Sequence, residues 1–314
     1  MFEKFNAIFD KKNAICVKNL GAYSLSDTME CGQCFRYEKI ERSDGIDEYM
    51  TVVGNTLIRV AQKERGELIF PNMSEDVFTS VAVPYFALDR DLEVVRKNVA
   101  DNTDSKWLKE AADFGAGIAI LGQDPWETII SFIISQNNNI PRIRKIVREI
   151  SAAYGTNLSI VNDYNSCPLK LIEGSPNADT CKVCGRCYTF PTAEDILKSP
   201  ENLLPSKPGF RYGYILDAAE KIANGEVDIT KIKNENRYEY TLETLKTIKG
   251  VGDKVASCAA LFGFGNLEAF PIDVWMKRAI DTYFDGKLDP ASLGPYAGIA
   301  QQYIFHYIRN EGKE

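Results

Sequence analysis

Near residue 72 the sequence changes its period, and that change limits the folds open to it. Up to that point short β-prone runs, AICVKNL, CFRYEKI, EYMTVVGNTLIRVAQ and GELIFP, alternate with turn residues, the pattern of an antiparallel sheet. From SEDVFTSVA onward the apolar residues recur at threes and fours, with Ser74 ahead of two acids as an N-cap signature. Long helices are predicted for PWETIISFIISQ, IPRIRKIVREISAAYG, FRYGYILDAAEKIANG, YTLETLKTI, DKVASCAALFGFG and DVWMKRAIDTYF. The class is therefore α+β, an N-terminal antiparallel β-sheet domain followed by a mostly helical body. The expected division is 1–115 for the β-rich domain with its trailing helices and 116–314 for the helical region, with a cysteine-rich insertion at about 163–190.

With 314 residues, 45% of them hydrophobic, the chain can bury more than one core. No run reaches the eighteen or so apolar residues of a membrane span, and MFEKFNAIFDKK does not read as a signal peptide. A cytoplasmic protein with no membrane association is expected, nucleoid-associated if the source is bacterial. The net charge of −7 argues against a generic nucleic-acid coat, yet charge is local. Arg142, Arg144, Lys145 and Arg148 face the single acid Glu149 in PRIRKIVREI, and Lys246, Lys249 and Lys254 surround a glycine turn. A basic DNA groove on an acidic protein is the expectation.

That turn is IKGVGDKVA, residues 248–256, set between two helical runs. Gly250 and Gly252 lack a Cβ, so backbone can approach another molecule closely. The N–H groups opening the second helix carry the positive end of its dipole and suit a phosphate. A helical hairpin that needs glycine only for its turn fits the same residues. Lys254 follows two residues after Gly252, and Asp273 comes nineteen residues later behind Pro271. Alone, such a lysine is an ordinary solvated charge and such an aspartate an ordinary helix cap.

Together they form a pattern. LKTIKGVGDKVASCAALFGFGNLEAFPIDVWMKRAI resembles the helix-hairpin-helix, Gly/Pro-rich loop and aspartate signature of DNA base-excision glycosylases, and a lysine after the hairpin marks the bifunctional members. Three more segments are similar to those of the 8-oxoguanine DNA glycosylase/lyases: the triple asparagine of FIISQNNNIPRI, the Gly-Gln loop of ECGQCFRY and the C-terminal AQQYIF.

The resemblance implies a flipped nucleotide and a role for each matching residue. Asn137 would fill the gap opposite an orphaned cytosine, Arg142 and Arg211 would hydrogen-bond that cytosine, and Phe210 would wedge beside it. Gly250, Val251 and Gly252 would grip the DNA backbone. The Gly32 carbonyl would accept the N7 proton that 8-oxoguanine has and guanine lacks. Gln301 would read the Watson-Crick edge, and Cys258 and Phe305 would sandwich the ring. Lys254 would form a Schiff base with the sugar, leading to β-elimination, while Asp273 would stabilise positive charge on it. The implied partner is double-stranded DNA containing 8-oxoguanine, bound by a monomer, with no cofactor for catalysis. A glycosylase for an alkylated base or an oxidised pyrimidine, or a non-catalytic DNA-binding protein, are the alternatives.

Two features depart from the family pattern. Trp275 stands two residues after the aspartate, where the animal members have histidine. SCPLKLIEGSPNADTCKVCGRCY holds Cys167, Cys181, Cys184 and Cys187, separated by thirteen, two and two residues. That spacing suits a structural four-cysteine zinc site, with an iron-sulfur cluster or reduced thiols as the other readings. CGQC at 31–34 is a second CxxC, read as packing.

Overall fold

A computed structural model describes residues 2–6, 13–158 and 186–310. Six strands, β1 (Phe2–Asn6), β2 (Asn13–Val17), β3 (Tyr37–Ile40), β4 (Asp47–Val53), β5 (Thr56–Gln62) and β6 (Leu68–Pro71), form one sheet in the order β1-β2-β6-β5-β4-β3. Every pairing is antiparallel. The β4–β5 hairpin closes with Val53 opposite Thr56 through Gly54 and Asn55. Gly54 has φ +55°, as a two-residue turn with glycine first requires.

Both faces of the sheet are covered, so its apolar residues read as near-continuous runs. Tyr49, Ile58, Val60 and Phe70 pack with Phe78 and Phe86 on one face. Met50, Val52 and Leu57, one residue out of phase, pack with Leu158 and Cys187 on the other. Between β2 and β3 runs α1 (Leu25–Glu30), capped by the Ser24 hydroxyl, which accepts from Asp27 N. The expected cap at Ser74 is present and accepts from Val77 N.

The helical body contains α2 (Leu92–Asp101), α3 (Lys106–Phe114), α4 (Pro125–Ser135), α5 (Ile140–Tyr154), α6 (Tyr212–Ala223), α7 (Tyr238–Leu245), α8 (Asp253–Ala259), α9 (Val274–Tyr283) and α10 (Ala297–Asn310), with shorter helical turns between them. Each run expected to be a long helix carries one of these helices, but α7 has eight residues and begins two residues before its run, and α8 has only seven. Helix α4 lies at the centre of the core: Ile129, Ile130, Ile133 and Ile134 are each no more than 1% exposed. Its start is fixed by Asp124, which accepts from Glu127 N, with Pro125 in the first turn. Sheet and helical body are tied by Arg36, which precedes β3 and makes a paired contact to Glu127 on α4 at 2.7 and 3.0 Å. No described helix is long and apolar enough to cross a membrane.

Candidate active site

Residues 248–252 form a tight turn between α7 and α8. Gly250 sits at φ +77°, and a Cβ there would lie 2.3 Å from the Tyr214 ring. Close packing within the protein therefore accounts for that glycine. A Cβ at Gly252 would meet nothing within 4 Å. This residue is the N-cap of α8 and offers no side chain to the helix N–H groups, which leaves them for an external acceptor. The turn is held from α6: Asp217 accepts from Lys249 N at 2.7 Å, and Lys221 donates to the Thr247 carbonyl at 2.6 Å.

Lys254 lies in the first turn of α8 and Cys258 one turn further along the same face. Both line a cavity of about 940 Å³, as do Asp273, Gly32, Gln301 and Phe305. Six residues drawn from four segments thus share one space, whose size is at the upper end for a small-ligand pocket. Lys254 Nζ lies 3.4 Å from Ser135 Oγ and 5.2 Å from the centre of the Phe132 ring. Burial pushes the Cys258 thiol up to about 11, with the neighbouring Lys254 pulling the other way.

Asp273 caps α9, its Oδ1 accepting from Met276 N at 2.8 Å. The ordinary explanation for this residue is therefore true, and the cap is also what aims the carboxylate at the cavity. Trp275, half exposed, lines the rim with Ile272 and Val274, and the Arg278 guanidinium lies 5.6 Å from its ring centre.

Gly32 has φ +91°, the left-handed region that glycine favours, and a Cβ there would be 3.6 Å from the Phe305 ring. The loop is pinned by Gln33, fully buried, whose side chain donates to the Thr28 and Ala119 carbonyls and accepts from Leu121 N, each at 2.8 Å. Cys31 and Cys34 are buried, and burial raises the Cys31 thiol to about 12. CGQC is a packing motif, as read from the sequence.

Each of the three asparagines between α4 and α5 has a distinct task. Asn138 donates to the Ile134 carbonyl at the end of α4, and Asn139 caps α5 by accepting from Arg142 N. Asn137 takes φ +48° and lines the cavity. Asparagine tolerates that backbone better than most residues.

Arg211, expected at the orphaned cytosine, is 5% exposed and turned inward. Its guanidinium donates to the carbonyls of Gln136, Asn137 at 3.0 Å and Pro208 at 3.2 Å. It braces the asparagine turn, and burial, then the charge of Arg142, draw its pKa below the ordinary arginine value. Arg142 is exposed, and Phe210 is 55% exposed with its ring 4.3 Å from the Arg211 guanidinium. These three stand beside the asparagine turn and do not line the cavity.

The basic face expected along α5 needs correction. Arg144 and Arg148 both turn to Glu38 on β3, at 3.7 and 2.9 Å. They join helix to sheet and are not free for a phosphate. Lys246 is paired with Asp253 at 2.5 Å. Of the metal reading, Cys167, Cys181 and Cys184 lie outside the described residues. Cys187 is buried in the cluster behind the sheet, and no group of three or more metal-ligating side chains occurs among the described residues.

A lysine in the turn after a glycine hairpin, sharing a cavity with the aspartate that caps the next long helix, is the arrangement implied by the resemblance to helix-hairpin-helix DNA glycosylases. Comparison with known proteins narrows the class. Residues 16–129 match the model of the 8-oxoguanine DNA glycosylase N-terminal domain. An N-glycosylase/DNA lyase of Saccharomyces cerevisiae is 28% identical over 88% of this chain and 70% of its own. A probable N-glycosylase/DNA lyase of Methanothermobacter thermautotrophicus is 30% identical over 67% and 69%. The Clostridium acetobutylicum 8-oxoguanine glycosylase/lyase, solved with double-stranded DNA containing cytosine opposite 8-oxoguanine, superimposes with a TM-score of 0.80. It is 30% identical, over 99% of this chain and 98% of that one. The chain belongs to the 8-oxoguanine DNA glycosylase/lyase family.

Proposed function

We propose that this protein excises 8-oxoguanine from duplex DNA, with cytosine as the preferred opposite base, and then nicks the strand at the resulting site. The observation that carries the reading is that Lys254 and Asp273 share one cavity with Gly32, Cys258, Gln301 and Phe305.

The chemistry assigned to these groups balances as follows. Lys254 Nζ attacks the sugar C1′ as the free amine, and the electron pair of the N-glycosidic bond leaves with the base, which takes up a proton. Ring opening converts the adduct to a Schiff base. Loss of a C2′ proton then expels the 3′ phosphate by β-elimination. Asp273 stabilises the positive charge that builds on the sugar as the bond to the base lengthens. Cys258 and Phe305 form the slot for the ring, and the Gly32 carbonyl faces the N7 proton of the lesion. Asn137 fills the space left by the flipped nucleotide, with Phe210 beside it and Arg142 on the cytosine. Arg211 acts on the cytosine by positioning that turn, since its donors are committed to main-chain carbonyls. The chain acts as a monomer, in the cytoplasm.

Single-turnover release of base from a duplex with one 8-oxoguanine tests this reading. Excision is expected to be fastest opposite cytosine and absent from the same duplex with guanine. Equal release of 3-methyladenine or of an oxidised pyrimidine would transfer the assignment to one of the other glycosylase readings.

The four-cysteine zinc site is a separate proposal, supported by the spacing of Cys167, Cys181, Cys184 and Cys187. Metal analysis of the full chain is expected to give one zinc, lost in Cys181→Ser/Cys184→Ser. No metal in protein purified without chelator would end the proposal.

A further inference from the structure

The amine assigned to the chemistry stands against an aromatic wall. Lys254 Nζ lies over the Phe132 ring, 5.2 Å from its centre, within the range at which a cation is drawn to a ring face. Phe132 is 4% exposed and lines the cavity together with Phe35 and Phe262. The Phe262 ring lies nearly parallel to it, at 5.4 Å and 15°, and the Phe35 ring meets it edge to face, at 5.6 Å and 70°. These contacts fix the ring, and with it the place of the amine. Among the described residues Lys254 makes no ion pair, although Asp273 shares the cavity, and its hydrogen bond runs to the uncharged Ser135 hydroxyl. A positive charge on Nζ therefore has a ring face, and no paired carboxylate, beside it.

The consequence rests on the reading of Lys254 as the nucleophile. Attack leaves Nζ bonded to C1′ and releases one N–H proton. The C1′–O4′ bond then breaks, its electron pair going to O4′, which takes up a proton, while the Nζ lone pair forms the C=N bond. The product is an iminium whose positive charge is shared by Nζ and C1′. The atom over the ring is thus the atom that becomes the iminium nitrogen. We propose that Phe132 stabilises this iminium through its ring face, a catalytic role separate from that of Asp273, which acts on the sugar as the base leaves. An aromatic face carries partial negative charge, and its attraction for a cation grows when water is excluded. The neutral aminal before ring opening gains nothing from it, whereas the iminium is the state from which C2′ gives up its proton. The resting ammonium is favoured as well, which makes base release the less sensitive step and strand nicking the more sensitive one.

The test replaces Phe132 in the full chain with 4-fluoro-, 3,5-difluoro- and 3,4,5-trifluorophenylalanine, which keep the ring's shape while draining its face of negative charge in steps. Nicking and borohydride trapping are measured on a duplex with a preformed abasic site opposite cytosine, and base release on the matching duplex with 8-oxoguanine. The nicking rate and the trapped fraction are expected to fall stepwise, by about three- to thirtyfold across the series, with base release changing less than about threefold. Nicking and trapping that stay constant through the series would overturn the proposal, even where Phe132→Leu is inactive, since shape alone would then explain the ring. An equal fall in base release would also overturn it, because that is what a packing role gives. Failure of the wild type to form an adduct with either duplex would instead overturn the reading of Lys254 beneath it.

Discussion

Lys254 Nζ lies 3.4 Å from Ser135 Oγ, and the Ser135 hydroxyl in turn donates to the Phe132 carbonyl at 2.8 Å. The serine hydrogen is thus directed away, and its oxygen is left to accept from the lysine. This short chain of bonds from the end of α4 holds the amine over the Phe132 ring. Ser135 acts as a positioning residue. Ser135→Ala is expected to slow Schiff-base formation about five- to tenfold, the value of one ordinary hydrogen bond. Affinity for lesion duplex should be unchanged. A variant that loses DNA binding and retains its trapping rate would contradict the assignment.

Arg211 and Arg142 are expected to separate cleanly. Removing Arg211 leaves the carbonyls of Gln136 and Asn137 without their donor, so Arg211→Ala should lower unfolding free energy by about 2 kcal/mol. Arg142 is exposed, and Arg142→Ala should stay within about 0.5 kcal/mol while weakening the preference for cytosine opposite the lesion. Urea unfolding and excision opposite each of the four bases measure both. An Arg211 variant of native stability would return that residue to the DNA.

The hairpin glycines should also part company. Gly250→Ala meets the Tyr214 ring and a positive φ, and an unfolding free energy lower by about 2–3 kcal/mol is expected. Gly252→Ala meets open space. Its stability should be near normal, with the loss appearing in affinity for any duplex, damaged or not. Equal stability of the two variants would refute the packing role of Gly250.

Cys258 lines the cavity, yet its thiol is pushed up to about 11 by burial. The sign is that of a group kept protonated, so at pH 8 only about one part in a thousand is thiolate, the reactive form. Iodoacetamide at pH 8 is expected to leave Cys258 and Cys31 unmodified in the native protein and to label both in urea, as peptide mapping would record. Rapid native labelling of Cys258 would mean that the wall of the base pocket is more open and more polar than described.

Much of the site could be read from sequence because its parts are carried by short contiguous signatures. The glycine turn with Lys254, Pro271 with Asp273, and the segments holding Gly32 and Gln301 are each recognisable locally. The cavity is their meeting point. What escaped depends on contacts distant in sequence or on signals too short to repeat. Arg144 and Arg148 read as a basic face because Glu38, their partner, lies more than a hundred residues away. Helix α1 is only six residues long, too short to show a 3.6-residue period inside a stretch of strands. Ser135 is one serine at a helix end, and nothing in its type or spacing marks it as the group that holds Lys254. Arg211 is read from a family resemblance, and only the fold shows that its donors are engaged by main-chain carbonyls.

The central claim is that Lys254 is the nucleophile on a sugar bearing 8-oxoguanine. Borohydride trapping on a duplex with one 8-oxoguanine opposite cytosine tests it most directly, with undamaged duplex and Lys254→Gln as controls. The account predicts a covalent protein–DNA adduct with wild-type protein and lesion only, and none with Lys254→Gln. An adduct that persists in Lys254→Gln, or release of free base with no wild-type adduct, would contradict it.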